Sequence, residues 1–136
     1  MAYWLIKSEP DVWSWQNQVD KGSKGEAWTG VRNYGARNNL RAMQLGERAF
    51  FYHSNKEKAI IGICEVTKTD FPDPTDEKWS CVQFKALEKL ARPYSLDEAK
   101  SNPNLKDMVL VNNTRLSVQP VTEAEWNEIL ARTQAI

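Results

Sequence analysis

"YWLIK" (residues 3–7) is apolar on both of its alternating faces. A strand that buries one face alternates apolar with polar residues, whereas one covered on both sides does not. The stretch therefore reads as a strand with material packed above and below it. Pro10 cannot donate to a ladder, so the strand ends near Ser8-Glu9-Pro10. Working outward, "RAFFYHS" (48–54) and "AIIGICEVTKTDF" (59–71) read as a hairpin about the turn "NKEK". Gly62 inside the second strand marks a bulge or a close backbone approach. "PDPTDEK" (72–78) is a loop by its prolines and acids, "WSCVQFKALEKL" (79–90) alternates as a half-exposed strand, and "RLSVQPV" (115–121) is a last strand ended by Pro120.

Short helices fill the connections. Ser14 caps "WQNQVDK", which stops at Gly22, and "GSKGEAW" leads into a short extended piece at Trp28. Residues 33–43 carry an apolar stripe at Ala36, Leu40 and Met43, and so read as a helix. Ser95 with Glu98, and Thr122 with Glu125, are capping boxes for two more. Trp126, Ile129 and Leu130 anchor the last helix, and "NPNLKDM" is a helical turn. The expectation is one domain over residues 1–136, α+β but mainly β, with five or six strands. A small closed or nearly closed barrel would remove the exposed edges.

Composition narrows the function. The 136 residues carry 18 Lys+Arg against 18 Asp+Glu. Zero net charge argues against a whole-molecule electrostatic grip on nucleic acid and leaves room for a local patch. No stretch approaches the roughly 20 apolar residues of a membrane span. Cys64 and Cys81 lie in strand-like segments without ligand spacing, so buried free thiols are expected, with no metal site and no cofactor. Six tryptophans are more than a core of this size needs, which directs attention to a stacking surface.

His53 is the one histidine, and neither a GxSxG elbow nor a Gly-rich phosphate loop is present. Lys7, Ser8 and Glu9 are residue types that can build a hydrolase, but neighbours on a strand point to opposite faces, so Glu9 should turn away from Lys7. Trp28, Tyr52 and Trp79 stand beside turn or loop residues, with Ser8, Asn33, His53 and Ser54 nearby. Aromatic walls with a few hydrogen-bonding groups are what reading a single extruded base requires. Packing in the core or at its rim accounts for the same three rings. "VRNYGARNNLR" (31–41) holds three arginines, and no acid lies between Glu26 and Glu47. A phosphate seat and a solvated helix face both fit that pattern.

"YWLIKSEP", "WTGVRNYGARNNLR", "FFYHS", "IIGICEV", "FPDPTD" and "RLSVQPVTEAEWNEIL" resemble, in order and spacing, the EVE domain of the PUA-like superfamily. The resemblance implies a small β-barrel with peripheral helices. It also implies a pocket similar to that of YTH domains, binding a modified base without catalysis. The implied partner is nucleic acid carrying that base, a modified cytosine in DNA ahead of RNA. It places Lys7 and Ser8 at the pocket, Trp28 as a wall, and Val31 and Asn33 beside it. Tyr52, His53 and Ser54 form its floor or rim, with Trp79, Arg115, Leu116 and Ser117 near the opening. Arg32, Arg37, Arg41 and Arg115 would then face phosphates.

The chain departs from the family pattern where Thr29 replaces the acid of "WDGV". It departs again where only "DEK" separates "PDPT" from the next tryptophan, and Gly35 stands where relatives often have a larger polar residue. Two rival readings remain. Some PUA-like relatives of the ASCH group resemble small amidohydrolases of modified nucleosides, which would recruit Lys7, Ser8 and Glu9. A module for a protein or small-molecule partner is the other. The chain begins at its first strand, so a tail-less cytoplasmic form is expected, and a monomer is the default.

Overall fold

The computed structural model describes residues 2–55, 57–113 and 115–133. In chain order its elements are β1 (Tyr3–Ser8), α1 (Trp15–Asp20), β2 (Glu26–Ala27), α2 (Tyr34–Ala42), β3 (Arg48–His53), β4 (Ala59–Asp73), β5 (Asp76–Ser95), α3 (Leu96–Ser101), α4 (Val109–Asn112), β6 (Val118–Val121) and α5 (Glu123–Thr133). The strands form one sheet in the order β2-β5-β4-β3-β1-β6. The β1–β3 pair is parallel and the others are antiparallel.

Alternation along β1 fixes what lies on each face. Trp4 and Ile6 join Phe51, Cys64, Val66 and Phe84 in one buried cluster. Leu5 joins Phe50, Tyr52 and Ile63 in a second. Trp15 of α1, Ala36 and Leu40 of α2, and the Trp28–Val31 segment cover the first face. Ala99 of α3, Leu110 of α4, and Trp126 and Ile129 of α5 cover the second. On that side Trp126 stacks on Phe50 with ring centroids 3.9 Å apart. The doubly covered strand expected at "YWLIK" is thus the sheet's organising element.

Local signals act where the sequence puts them. Ser14 and Ser95 close capping boxes, and Thr122 exchanges two hydrogen bonds with Glu125. Gly62 is a close approach: a Cβ there would lie 2.5 Å from the Trp15 ring, and the β4–β5 register shifts beside it. Cys64 and Cys81 are buried free thiols. The turn expected at 55–58 includes Lys56, which lies outside the described residues. Among the described residues no helix is long and apolar enough to cross a membrane.

Two expectations are corrected. The sheet is open, with no ladder joining β2 to β6 among the described residues. Its edges are instead blunted by brevity, since β2 has two residues and β6 has four with Pro120 among them. The loop expected at 72–78 is also much shorter. β4 runs to Asp73 and β5 starts at Asp76, because the Asp73 carboxylate accepts from both the N–H and the hydroxyl of Thr75 and closes the turn itself.

Candidate nucleic-acid interface

β1 ends in two cavities, one on each face of the sheet. The first, about 470 Å³, is lined by Lys7, Ser8, Glu9, Trp13, Glu26 and Trp28, with Val12 and Thr29 completing it. The second, about 410 Å³, is lined by Lys7, Tyr52, Ser54, Asn55, Lys58 and Lys100, among others. Lys7 is long enough to border both.

The walls of the first cavity are firmly held. Trp28 is 9% exposed and meets Phe51 and Phe84 edge-on, at 5.8 and 5.7 Å between centroids. The Trp13 indole N–H donates to Gln18 at 2.8 Å, and the fully buried Gln18 donates to the Phe84 carbonyl. Ser8 donates its hydroxyl proton to the Trp13 carbonyl. Glu26 pairs with Lys21 at 3.5 Å.

The loop after Trp28 is tied to the β4–β5 turn by one buried carboxylate. Asp73 accepts from the Gly30 N–H at 2.9 Å and from Arg32 at 3.1 Å. Burial alone would raise its pKa. The hydrogen bonds from Thr75, Gly30 and Arg32 outweigh that and hold the carboxyl well below the usual range. Gly30 has φ +79°, a conformation that suits glycine at this tie point.

Several expected site residues are placed otherwise. In the parallel β1–β3 register Lys7 stands beside Tyr52 and Ser8 beside His53. Side chains alternate, so Tyr52 faces away from Trp28 and belongs to the second cavity. There the Lys7 ammonium lies 5.6 Å from the Tyr52 ring centre. Burial lowers the Lys7 pKa, while burial with the Asp97 charge pushes the Tyr52 phenol up to about 12. His53 is buried with both nitrogens engaged: Nε2 accepts from the Trp15 N–H at 3.0 Å, and Nδ1 meets Glu57 at 2.8 Å. Both contacts tie the ring to the surrounding fold. Val31 is core, and Asn33 caps α2 by accepting from the Ala36 N–H. Ser54 donates its backbone N–H to the Ser8 carbonyl, and the Ser117 carbonyl accepts from the Lys7 N–H. Leu116 packs on the first cluster, and Arg115 is exposed at a turn.

The arginines are less available than their spacing implied. Arg32 has an acid partner in Asp73, 41 residues on, and also donates to Thr75. Arg37 lies over Tyr34 and Trp79, at 4.7 and 5.4 Å from their ring centres. Arg41 donates to Ser80 at 2.8 Å. Trp79 therefore sits in a cation–aromatic cluster with Tyr34 and is absent from the lining of the first cavity. Glu9, expected to turn away from Lys7, lines the same cavity, because the chain leaves the ladder after Ser8 and alternation no longer governs it. Sequence reasoning missed Trp13. Its neighbours "PDVWS" are turn residues, the same signal that singled out Trp28.

The sheet is open and mixed, helices cover both faces, an aromatic cavity opens at the end of the interior strand β1, and the fold is PUA-like. More narrowly, the chain belongs to the EVE domain family, whose model matches residues 2–132. Human thymocyte nuclear protein 1 is 37% identical over 169 residues, spanning 96% of this chain and 73% of the relative. That alignment is longer than the chain, so the human protein carries additional residues inside the matched region. A crystal structure of an Agrobacterium tumefaciens protein superposes with a TM-score of 0.95 at 52% identity, covering 97% of this chain and 92% of that one. Human THYN1, solved in complex with DNA containing 5-methylcytosine, superposes with a TM-score of 0.92 at 35% identity, covering 100% and 99%. The YTH domain of Zygosaccharomyces rouxii MRB1 shares the fold, with a TM-score of 0.58 at 17% identity.

Proposed function

We propose that this chain is a single-domain, non-catalytic DNA reader that takes an extruded modified cytosine into the cavity lined by Trp13 and Trp28. The observation that carries the reading is that cavity, in a fold matching a relative solved with 5-methylcytosine DNA. Its volume, about 470 Å³, falls in the ordinary range for small-ligand pockets. Indole faces offer a flat base about 1–3 kcal/mol of stacking. Extrusion costs a few kcal/mol, so the two roughly cancel and discrimination must come from the base's edge and its added group. Glu9 and Glu26 can accept from the cytosine amino group, and Thr29 can donate or accept. Burying one methyl supplies about 0.8 kcal/mol, or roughly fourfold in affinity.

The hydrolase alternative finds less support. Glu9 and Lys7 line the cavity beside Ser8, but the Ser8 hydroxyl proton is committed to a backbone carbonyl and both His53 nitrogens are engaged, so His53 does not serve Ser8 as a base.

The test is a panel of oligonucleotides, single- and double-stranded, identical except for one central cytosine that is plain, methylated or hydroxymethylated. Tighter binding to one modified base at two salt concentrations supports the reading. Equal affinity across the panel removes it. Turnover of acylated nucleosides by the same protein would put the hydrolase in its place.

A further inference from the structure

The second cavity has a charge character that the first lacks. In a chain of zero net charge it gathers Lys7, Lys58 and Lys100, and no carboxylate is among its lining residues. The lysines come from β1, the β3–β4 connection and α3, and two backbone hydrogen bonds hold those segments together. Ser54 donates to the Ser8 carbonyl at 2.9 Å, and Leu96 donates to the Lys58 carbonyl at 2.8 Å. Among the described residues only Asn55 and Lys58 are non-glycines with positive φ, +68° and +48°. Asparagine tolerates that region, whereas lysine adopts it at a cost, so Lys58 is held there by its surroundings.

Like charges brought together repel unless an anion joins them. The lining offers three ammonium groups, the Tyr52 and Ser54 hydroxyls and the Asn55 amide, a donor set matched to a tetrahedral oxyanion. Asp97, whose charge reaches Tyr52, stands outside the lining.

We propose that this cavity binds a phosphate group. Two sources share that chemistry, a DNA backbone and a free phosphate-bearing molecule. The DNA source rests on the base-reading proposal: Lys7 borders both cavities, so a strand whose base enters the first can lay a phosphate in the second. The cavity's preference for phosphate stands without it.

The test uses the whole chain and a double variant, Lys58→Gln with Lys100→Gln, both at exposed positions that leave the core intact. Inorganic phosphate is titrated into 15N-labelled protein against chloride at equal ionic strength. Saturable shifts at the Ser54, Asn55, Lys58 and Lys100 amides are expected, weakened about tenfold or more in the double variant. Shifts that do not saturate, or that persist unchanged in the double variant, overturn the assignment. With the phosphate result in hand, oligonucleotides distinguish the sources. Equal weakening for plain and modified DNA, with a salt slope reduced by about 1 to 2, assigns the site to backbone phosphate. Unchanged DNA affinity assigns it to a free phosphate-bearing molecule. Wild-type protein that takes phosphate and ignores every oligonucleotide removes the base-reading proposal and leaves this one standing.

Discussion

The two cavities at the end of β1 are separated by one strand and differ in what surrounds them. One is walled by Trp13 and Trp28, carries Glu9 and Glu26, and is braced through Gly30 by the buried Asp73. The other is ringed by three lysines and a tyrosine, with Asn55 and Lys58 in left-handed backbone. Strand alternation produces the difference, since Ser8 and Lys7 are adjacent in sequence and open onto opposite faces. A flat, largely neutral ring suits the first environment and an anion suits the second. A nucleotide contains both, which makes the pair more informative than either cavity alone.

The largest expected effect comes from breaking the first cavity alone. Trp28→Ala removes a side chain packed against Phe51 and Phe84, and the expected loss of stability is about 3–5 kcal/mol. Selectivity for the modified base should vanish, while phosphate shifts at Ser54 and Lys58 persist wherever the protein remains folded. Chemical denaturation and the oligonucleotide panel read the two outcomes. Loss of both cavities' binding in a folded variant would mean that they do not act independently.

Asp73→Asn loosens the same wall from behind. It leaves Gly30 or Thr75 without a full acceptor, and about 2–3 kcal/mol of stability should be lost at neutral pH. The pH dependence has a definite sign. The folded carboxyl titrates below its unfolded value, so its contribution is complete above the unfolded pKa of about 3.9 and fades as pH falls toward the folded one. The gap between wild type and variant should therefore narrow in acid, as followed by thermal melts from pH 7 down to pH 2. A gap that widens in acid would contradict this account of Asp73.

Thr29→Asp is the mildest change and sharpens the comparison instead of breaking it. The position is exposed, so stability should move by less than about 0.5 kcal/mol. A new carboxylate at the cavity accepts only, so preference should shift toward bases that present an amino donor. Paired titrations with cytosine and thymine analogues at the central position would detect it. An unchanged ratio would confine Thr29 to shaping the turn.

What could be read from sequence follows a physical line. Strands β1, β3 and β4, the Ser14, Ser95 and Thr122 caps, the free thiols and the close approach at Gly62 all depend on local pattern, and local pattern is visible. The Trp28 wall was legible for the same reason, as a large ring beside turn residues. Tyr52 was expected at the floor or rim of the pocket walled by Trp28 and lies instead on the other face of the sheet, because the pairing of β3 beside β1 is long-range and no local pattern encodes it. Arg32 was read as lacking an acid because its partner is 41 residues away and comes near only when the β4–β5 turn closes. One nitrogen of His53 is likewise occupied by Trp15, 38 residues away, which only the fold brings near, while the other meets the neighbouring Glu57. The lysine cavity escaped notice because its three charges lie on separate elements, whereas the arginine run was conspicuous for being contiguous.

The most direct test of the account is to watch the walls of the first cavity while DNA binds. In 15N-labelled protein the indole N–H resonances of Trp13 and Trp28 can be followed as matched oligonucleotides with cytosine or 5-methylcytosine are added. The account predicts saturable shifts of both indoles with the methylated strand, and weaker ones with its plain counterpart. DNA binding that leaves both indoles unmoved, or moves them equally for the two strands, would contradict it.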